Sequence, residues 1–169
     1  MPSLIGKYKN LKLPLDTHQR VISGFPGVGK STAFKSLKER GIKVLDSDSS
    51  TFDKAHFPDN YLKHIEDRLN EGYVLLISSH EEVRKGLEKR GIDYTLVYPE
   101  AEAKEEYLQR YRERGSPDAF VEMMDKKWEE FIMSCEESGA KTHVRLYEGV
   151  YLDTALGSMN WYPKTINQD

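Results

Sequence analysis

One short segment constrains the fold of this 169-residue chain more than any other. Residues 21–32 read VISGFPGVGKST, in which a glycine is followed by four residues, a second glycine, a lysine and a serine. An aliphatic run precedes the glycines and an amphipathic stretch follows them, which is the order strand, loop, helix. The segment therefore favours a sheet whose strands alternate with helices.

The rest of the chain repeats this alternation. Apolar runs predict five strands at residues 20–23, 42–45, 73–78, 94–98 and 143–147. Between them, apolar residues recur at helical spacing, as in Leu62, Ile65 and Leu69. This pattern predicts one α/β domain over residues 18–159. Residues 1–17 are expected to form an arm, either an added strand or a flexible leader, and residues 160–169 a surface tail.

Composition excludes several classes of protein. Hydrophobic residues make up 38% of the chain, enough for a core, and the net charge of -3 gives no basic excess, so stable nucleic-acid binding is not expected. Cys135 is the only cysteine, which excludes an internal disulfide and indicates a reducing compartment. The apolar run at 73–77 is far too short to span a membrane, so we expect a cytoplasmic protein.

The segment at residues 24–32, called here the glycine-rich loop, has the chemistry of a polyphosphate site. Its glycines allow a tight turn whose backbone amides face inward, at the N-terminus of a helix. The lysine can then contact the outer phosphates and the serine can ligate Mg²⁺. The predicted nucleotide-binding residues are Gly24, Gly27, Val28, Gly29, Lys30, Ser31 and Thr32. The alternative is a glycine-rich turn that matches the pattern by accident.

The glycine-rich loop resembles the phosphate loop of the small P-loop kinases, which include nucleoside monophosphate kinases, shikimate kinase and gluconate kinase. The order of elements over residues 20–147 is also similar, and the compact, charged layout looks like that of phage-type nucleotide kinases. The resemblance implies a three-layer α/β fold with a five-stranded parallel sheet, order 2-3-1-4-5, flanked by helices. It also implies ATP and Mg²⁺ as cofactors.

Two carboxylates follow the second predicted strand. The sequence DSDSS places Asp46 and Asp48 there, which resembles the Asp-Ser-Asp element of shikimate kinases. Ligands bind at the carboxyl ends of strands in such sheets, so one of these carboxylates is expected to hold Mg²⁺ or its water, or to orient the acceptor. The alternative is a solvated loop with a helix cap at residues 47–50.

A basic cluster ends the helix that follows the fourth predicted strand. The resemblance implies that residues 107–115 form a lid whose arginines stabilise the transferring phosphoryl group. Arg110 and Arg114 are four residues apart and share a helical face, whereas Arg112 points elsewhere, so the first two are the predicted catalytic arginines. The alternative is a basic turn that favours the helix dipole.

Two further segments are candidates for the acceptor site. Phe52 and Tyr61 lie where the family keeps a mobile acceptor-binding arm, and they either sandwich a base or pack the arm against the core. Ser79 and Arg84 follow the third strand, at a substrate-contacting position in shikimate kinases. Ser78 and Ser79 stand where many P-loop enzymes have an aspartate, which is a departure from the pattern.

These features predict a kinase that moves the γ-phosphoryl group of ATP to a small acceptor. A nucleoside or deoxynucleoside monophosphate is the leading acceptor, and a hydroxyl compound, as in shikimate and gluconate kinases, is the alternative. A non-catalytic nucleotide-binding module that regulates a partner is the contrasting hypothesis, favoured by the missing aspartate after the third strand. The sequence does not indicate which individual compound is the acceptor, which nucleotide base is preferred or what the oligomeric state is.

Overall fold

A computed structural model describes residues 15–162 of the chain. Most of the predicted arm and the last seven residues of the predicted tail lie outside this range. The strands are β1 (Val21–Gly24), β2 (Val44–Asp46), β3 (Val74–Ser78), β4 (Thr95–Pro99) and β5 (Thr142–Leu146). Their ends differ from the predicted ends by only one or two residues.

The helices lie between and after the strands. They are α1 (Thr17–Arg20), α2 (Lys30–Glu39), α3 (Asp59–Asn70), α4 (Glu81–Lys89), α5 (Lys104–Glu113), α6 (Asp118–Glu136) and α7 (Leu152–Ser158). Short 3₁₀ turns occupy Ser49–Thr51 and Ala101–Ala103. Within residues 15–162, no helix combines the length and apolar character needed to cross a bilayer.

All five strands pair in parallel, in the order β2-β3-β1-β4-β5. This confirms the predicted three-layer α/β fold and its 2-3-1-4-5 sheet. The central strands β1, β3 and β4 are buried almost throughout, which explains why they read as continuous apolar runs in the sequence. In the sheet register, Gly24 lies beside Ser78 and Asp46 lies beside Leu76. The carboxyl ends of β1, β2 and β3 therefore meet at one edge of the sheet.

The end of the described chain packs against its beginning. Trp161 and Tyr162 are buried, and both donate hydrogen bonds to the Gln19 carbonyl oxygen, at 3.3 and 3.0 Å. The Trp161 ring also meets the His18 ring edge to face. A surface tail from residue 160 is thus not observed for these two residues, because their large apolar rings are removed from water at the sheet's amino-terminal side.

Candidate active site

The glycine-rich loop adopts a conformation that only glycine accepts readily. Gly27 and Gly29 have φ angles of 90° and 97°, in the left-handed region. A Cβ atom added at Gly27 would lie 3.0 Å from the Tyr111 ring, and one added at Gly29 would lie 3.1 Å from the Tyr151 ring. Both the backbone turn and the close packing therefore require these glycines.

Lys30 begins helix α2 and turns back over the loop. Its Nζ atom donates a hydrogen bond of 2.9 Å to the Gly24 carbonyl oxygen. Burial lowers the pKa of Lys30 to about 8, and the nearby Asp46 carboxylate partly opposes that effect. The ammonium is thus held in a poorly solvated position, where an arriving anion would favour its charged form.

Ser31 and Asp46 form a pair of oxygen groups beside this lysine. The Ser31 hydroxyl donates to Asp46 Oδ2 at 3.4 Å, and both residues are exposed. Asp46 ends β2 and Ser31 lies in the first turn of α2, so the sheet edge brings them together. Asp46 also raises the pKa of Lys30 more than Asp48 does, which shows that it is the carboxylate with the stronger effect on the loop.

Asp48 has a different local role. Its side chain accepts a hydrogen bond of 2.9 Å from the Ser50 amide, and its carbonyl oxygen accepts one of 3.0 Å from the Thr51 hydroxyl. These bonds cap the short 3₁₀ turn that follows β2. The cap expected at residues 47–50 is therefore present at Asp48, while Asp46 faces the glycine-rich loop.

The donor set fits Mg²⁺ bound together with a nucleotide. Mg²⁺ prefers oxygen ligands and keeps several waters, so one hydroxyl and one carboxylate are enough when phosphate oxygens complete the shell. In the described part of the chain, no three His, Cys, Asp or Glu side chains cluster as a metal site of their own. Ser31 and Asp46 are thus the residues that would hold the ion.

Arg110 fastens helix α5 to the glycine-rich loop. Its Nη1 atom donates a hydrogen bond of 2.6 Å to the Gly27 carbonyl oxygen, and Nη2 pairs with Glu106. The guanidinium carbon lies 4.2 Å from the centre of the Tyr107 ring and 3.7 Å from that of Tyr151. With both faces covered, Arg110 is a fixed part of the loop's surroundings rather than part of an open lid.

Arg114 lies one turn further along the same face. Its Nε atom donates to the Ser116 hydroxyl at 2.9 Å, and its guanidinium lies 5.0 Å from the centre of the Tyr111 ring. Its charge helps to lower the pKa of Lys30, and the side chain is exposed. Arg114 is therefore the less constrained of the two arginines that face the loop, while Arg112 is exposed elsewhere.

Comparison with known proteins places the fold. No protein-family model matches the chain, and no curated protein does. The structure is similar to that of the Deinococcus radiodurans tunicamycin resistance protein, with a TM-score of 0.56 and 17% identity over 90% of this chain and 99% of that chain. The similarity extends over the whole three-layer α/β fold. An uncharacterized protein from Eubacterium ventriosum matches with a TM-score of 0.47 and 14% identity, over 83% of this chain and 96% of that chain.

The segment expected as a mobile acceptor arm is packed against the rest of the α/β fold. Tyr61 is 0% exposed; its hydroxyl donates to the Ser47 carbonyl oxygen at 2.7 Å and accepts from the Ser78 amide at 3.2 Å. The interpretation of Tyr61 as a base-stacking residue is therefore wrong, and the core-packing alternative is correct. Phe52 packs edge-on against Tyr61, with ring centres 4.9 Å apart, and also lines a cavity of about 420 Å³ with Lys54 and His80.

Arg84 links helix α4, to which it belongs, to helix α6. The side chain is 4% exposed, and its Nε atom donates to the Ser79 carbonyl oxygen at 2.9 Å. Its Nη atoms donate to the Ser134 carbonyl and hydroxyl oxygens at 3.1 and 2.8 Å. The hydrogen bonds of Arg84 thus join β3 and α4 to α6, and the predicted role of Ser79 and Arg84 in acceptor binding stays a prediction.

A cleft of about 650 Å³ opens between α4 and α6 and reaches the glycine-rich loop. We call it the α4–α6 cleft. Gly24, Pro26, Lys30, Ser78, Ser79, Arg84, Phe120, Met123, Met124, Phe131, Met133 and Ser134 are among the residues that line it. The sequence does not readily indicate this cleft, because apolar residues at helical spacing, as in α6, predict a buried helix face. The available signal was that they occupy more positions than one buried face of a helix needs.

Tyrosines around the glycine-rich loop were missed as well. Tyr107 and Tyr111 contact Gly27, and the Tyr111 hydroxyl donates to the Pro26 carbonyl oxygen at 2.8 Å. Burial raises the pKa of Tyr107 to about 12, so it stays neutral. A sequence signal did exist, since Tyr107, Arg110, Tyr111 and Arg114 follow helical spacing and so share one face.

Proposed function

We propose that this protein is a kinase that transfers the γ-phosphoryl group of ATP to a small acceptor molecule. The observation that carries the proposal is the placement of the Lys30 ammonium 2.9 Å from the Gly24 carbonyl oxygen, next to the paired Ser31 and Asp46 side chains. Cation, hydroxyl and carboxylate thus meet at the carboxyl ends of β1 and β2, where this class of sheet binds ligands. Phosphoryl transfer needs this combination of positioning and charge.

The chain's own residues divide the work of transfer. Amides of the glycine-rich loop and the N-terminus of α2 hold phosphate oxygens, and Lys30 neutralises the outer phosphates. Ser31 and Asp46 would hold Mg²⁺, which would supply positive charge to offset the charge that develops on the phosphate oxygens. Arg114, exposed beside the loop, is placed to add positive charge there, whereas Arg110 fixes the loop to α5.

The acceptor can belong to one of two classes. A nucleoside monophosphate or deoxynucleoside monophosphate needs a cation to receive its own phosphate, and Lys54, at the smaller cavity, is available for this. A hydroxyl compound needs instead a carboxylate to take its proton, and Asp46 can serve. Because the similar Deinococcus radiodurans protein is named for tunicamycin resistance, tunicamycin belongs in the panel of acceptors to be assayed.

A nucleotide-binding module without efficient transfer is the second candidate. The observation in its favour is that β3 ends at Ser78, which cannot supply the negative charge of an aspartate beside the metal. Such a module would bind ATP, but adding an acceptor would not increase its release of ADP.

Turnover separates the two candidates. Purified protein with ATP and Mg²⁺ is supplied in turn with nucleoside monophosphates, deoxynucleoside monophosphates, small hydroxyl compounds and tunicamycin, and ADP release is measured. A kinase releases ADP faster with at least one acceptor, and Lys30→Met abolishes the increase. ATP binding without any acceptor-dependent ADP release would instead establish the binding module.

A further inference from the structure

We propose that the α4–α6 cleft is the acceptor site, and that it selects an uncharged hydroxyl compound with an apolar, ring-sized body rather than a nucleoside monophosphate. That the ligand is a phosphoryl acceptor rests on the proposed kinase function, whereas its chemical class is inferred from the cleft alone. A volume of about 650 Å³ is in the range of small-molecule sites.

The cleft is continuous with the phosphate-binding end of the glycine-rich loop. Gly24, Pro26 and Lys30 line its inner end, so a ligand in it can reach the point where the terminal phosphate of a nucleotide meets Lys30. Arg110 and Tyr151, which contact the loop at Gly27 and Gly29, take no part in its lining. The cleft is therefore placed to hold the second substrate beside the phosphates of ATP.

Its outer wall exposes apolar side chains that the core does not use. Met123 is 39% exposed and Met133 is 57% exposed, although both belong to α6, whose other face is buried. Phe120 and Phe131 line the same wall and are only partly buried. Exposed apolar surface gathered in one concave place is typical of a binding site, and flexible methionines adapt to apolar ligands.

The charges of the cleft disfavour an acceptor that carries a phosphate. Of its cations, Lys30 is needed by ATP, Arg84 is bonded to Ser134, and Lys85 pairs with Glu81 at 3.2 Å. Glu130 and Glu137 also line the cleft and form no ion pair with any residue between 15 and 162. Arg114, whose guanidinium lies 5.7 Å from the centre of the Phe120 ring, is outside the lining and is assigned above to the transferring phosphoryl group. A second phosphate in the cleft would thus face Glu130 and Glu137, which is repulsive.

The inner end offers hydrogen bonds to a hydroxyl group. The Ser78 hydroxyl oxygen is buried, makes no hydrogen bond within the described chain, and belongs to a residue that lines the cleft. An unpaired buried hydroxyl is destabilising, and a ligand hydroxyl can satisfy it because the serine hydroxyl hydrogen can reorient toward a partner. This is the second, independent indication that a polar ligand group belongs at the Lys30 end.

The step that follows balances without any further reactant. The acceptor oxygen bonds to the γ-phosphorus while the bond from that phosphorus to the bridging β–γ oxygen breaks, and ADP leaves with the electron pair. The hydroxyl proton is released to the solvent. The products are ADP and the phosphate monoester of the acceptor.

The methionines provide a direct test, because the chain has only five. Met123, Met124 and Met133 line the cleft, while Met159 is 46% exposed and lies outside it. Protein labelled with ¹³C at the methionine methyl groups is titrated, in the presence of ADP and Mg²⁺, with phenylethanol, phenylpropanol and cyclohexylmethanol, and separately with AMP and dTMP. At least one alcohol is expected to shift the three cleft methyl signals and leave Met159 unmoved.

A matched pair of variants completes the test. Met123→Gln should raise the alcohol concentration that half-shifts the Met133 signal by about fivefold or more, the effect of losing one apolar contact, and Met159→Gln should leave it unchanged. The reciprocal measurement follows the Met123 methyl signal in Met133→Gln, where the half-shift concentration should rise in the same way. The proposal is overturned if no alcohol shifts the cleft signals, or if AMP or dTMP shifts them at lower concentration than every alcohol.

Failure of this proposal and failure of the kinase proposal look different. Methyl shifts with the alcohols, without ADP release for any acceptor, would refute the kinase and support the cleft's ligand chemistry. Release of ADP with AMP or dTMP, without movement of the cleft methyl signals, would support the kinase and refute this site.

Discussion

The Arg110 guanidinium donates a hydrogen bond of 2.6 Å to the Gly27 carbonyl oxygen, although 83 residues separate the two in the chain. Helix α5 and the glycine-rich loop therefore form one rigid unit, with Tyr107 and Tyr111 filling the space beside the loop. A substitution at Arg110 should therefore lower the stability of the protein and the order of the loop.

We expect Arg110→Ala to lower the free energy of unfolding by about 2 kcal/mol, because the loop loses a charged hydrogen bond and Glu106 loses its partner. Arg112→Ala, an exposed position on the same helix, should change it by less than about 0.5 kcal/mol. Urea denaturation of both variants measures the difference. Equal effects would show that Arg110 contributes no more than an ordinary surface arginine.

ATP binding should take up a proton at alkaline pH. Burial lowers the pKa of Lys30 to about 8 in the free protein, and bound phosphates favour the ammonium form. Below pH 8 the group is already charged; above it, the Kd for ATP should rise with pH by up to about tenfold per pH unit.

Calorimetry at alkaline pH in buffers of different ionisation enthalpy measures the proton uptake. Lys30→Met should abolish it and weaken binding, whereas Lys35→Met, an exposed position on the same helix, should preserve it. A Kd that does not vary across this pH range would contradict the buried position of the ammonium.

Asp46 and Asp48 should respond differently to neutralisation. Asp46→Asn removes the charge beside Ser31 and should lower the transfer rate at least tenfold, about 1.4 kcal/mol of barrier, with a higher requirement for Mg²⁺. Asp48→Asn should be milder, because an asparagine oxygen can also cap the turn after β2. Asp48→Ala should lose about 0.5–2 kcal/mol of stability through the missing cap. Negligible rate changes in both asparagine variants would remove Asp46 from the site.

Any side chain at Gly86, in the middle of α4, should lower the stability of the protein. A Cβ atom there would lie 2.3 Å from Leu62 Cδ1, and Leu62 is buried in α3. Gly86→Ala should therefore destabilise the protein by about 1–3 kcal/mol despite the better helix propensity of alanine. Gly157→Ala is the matched control, since nothing lies within 4 Å of that helical glycine, and it should stabilise by up to about 1 kcal/mol.

The double variant Leu62→Ala with Gly86→Ala identifies the cause. The double variant should lose less free energy of unfolding than the sum of the two single losses, by about 1 kcal/mol or more. The reason is that the shorter side chain at position 62 removes the clash between α3 and α4. Additive effects would mean that the cost of Gly86→Ala arises elsewhere.

The strands and the glycine-rich loop could be predicted because each depends on local signals, whereas the order of the strands in the sheet was implied only by the resemblance to small P-loop kinases. Buried parallel strands are continuous apolar runs, and the loop's glycines must allow positive φ angles, as Gly27 and Gly29 do. The pairing of Ser31 with Asp46 could be expected only in outline, since it depends on two strand ends meeting at one sheet edge.

The functions of individual polar and aromatic side chains could not be predicted in the same way. Tyr61 and Arg84 have the chemistry of binding residues, but their hydrogen bonds go to Ser47 and Ser134, which are distant or inconspicuous in the sequence. The partner that satisfies a buried hydroxyl or guanidinium is decided by packing between elements, which one sequence does not display. The α4–α6 cleft has the same origin, because it is a space between two helices.

The bonds from Trp161 and Tyr162 to Gln19 span 142 and 143 residues and so enclose the whole sheet. The entropy cost of closing a loop grows with its length, whereas neighbouring strands of the sheet are joined through much shorter segments. During folding, these two aromatic residues should therefore dock last, onto a sheet that is already assembled. Trp161 fluorescence would then report the final step of folding, and Trp161→Phe would speed unfolding while leaving the folding rate almost unchanged.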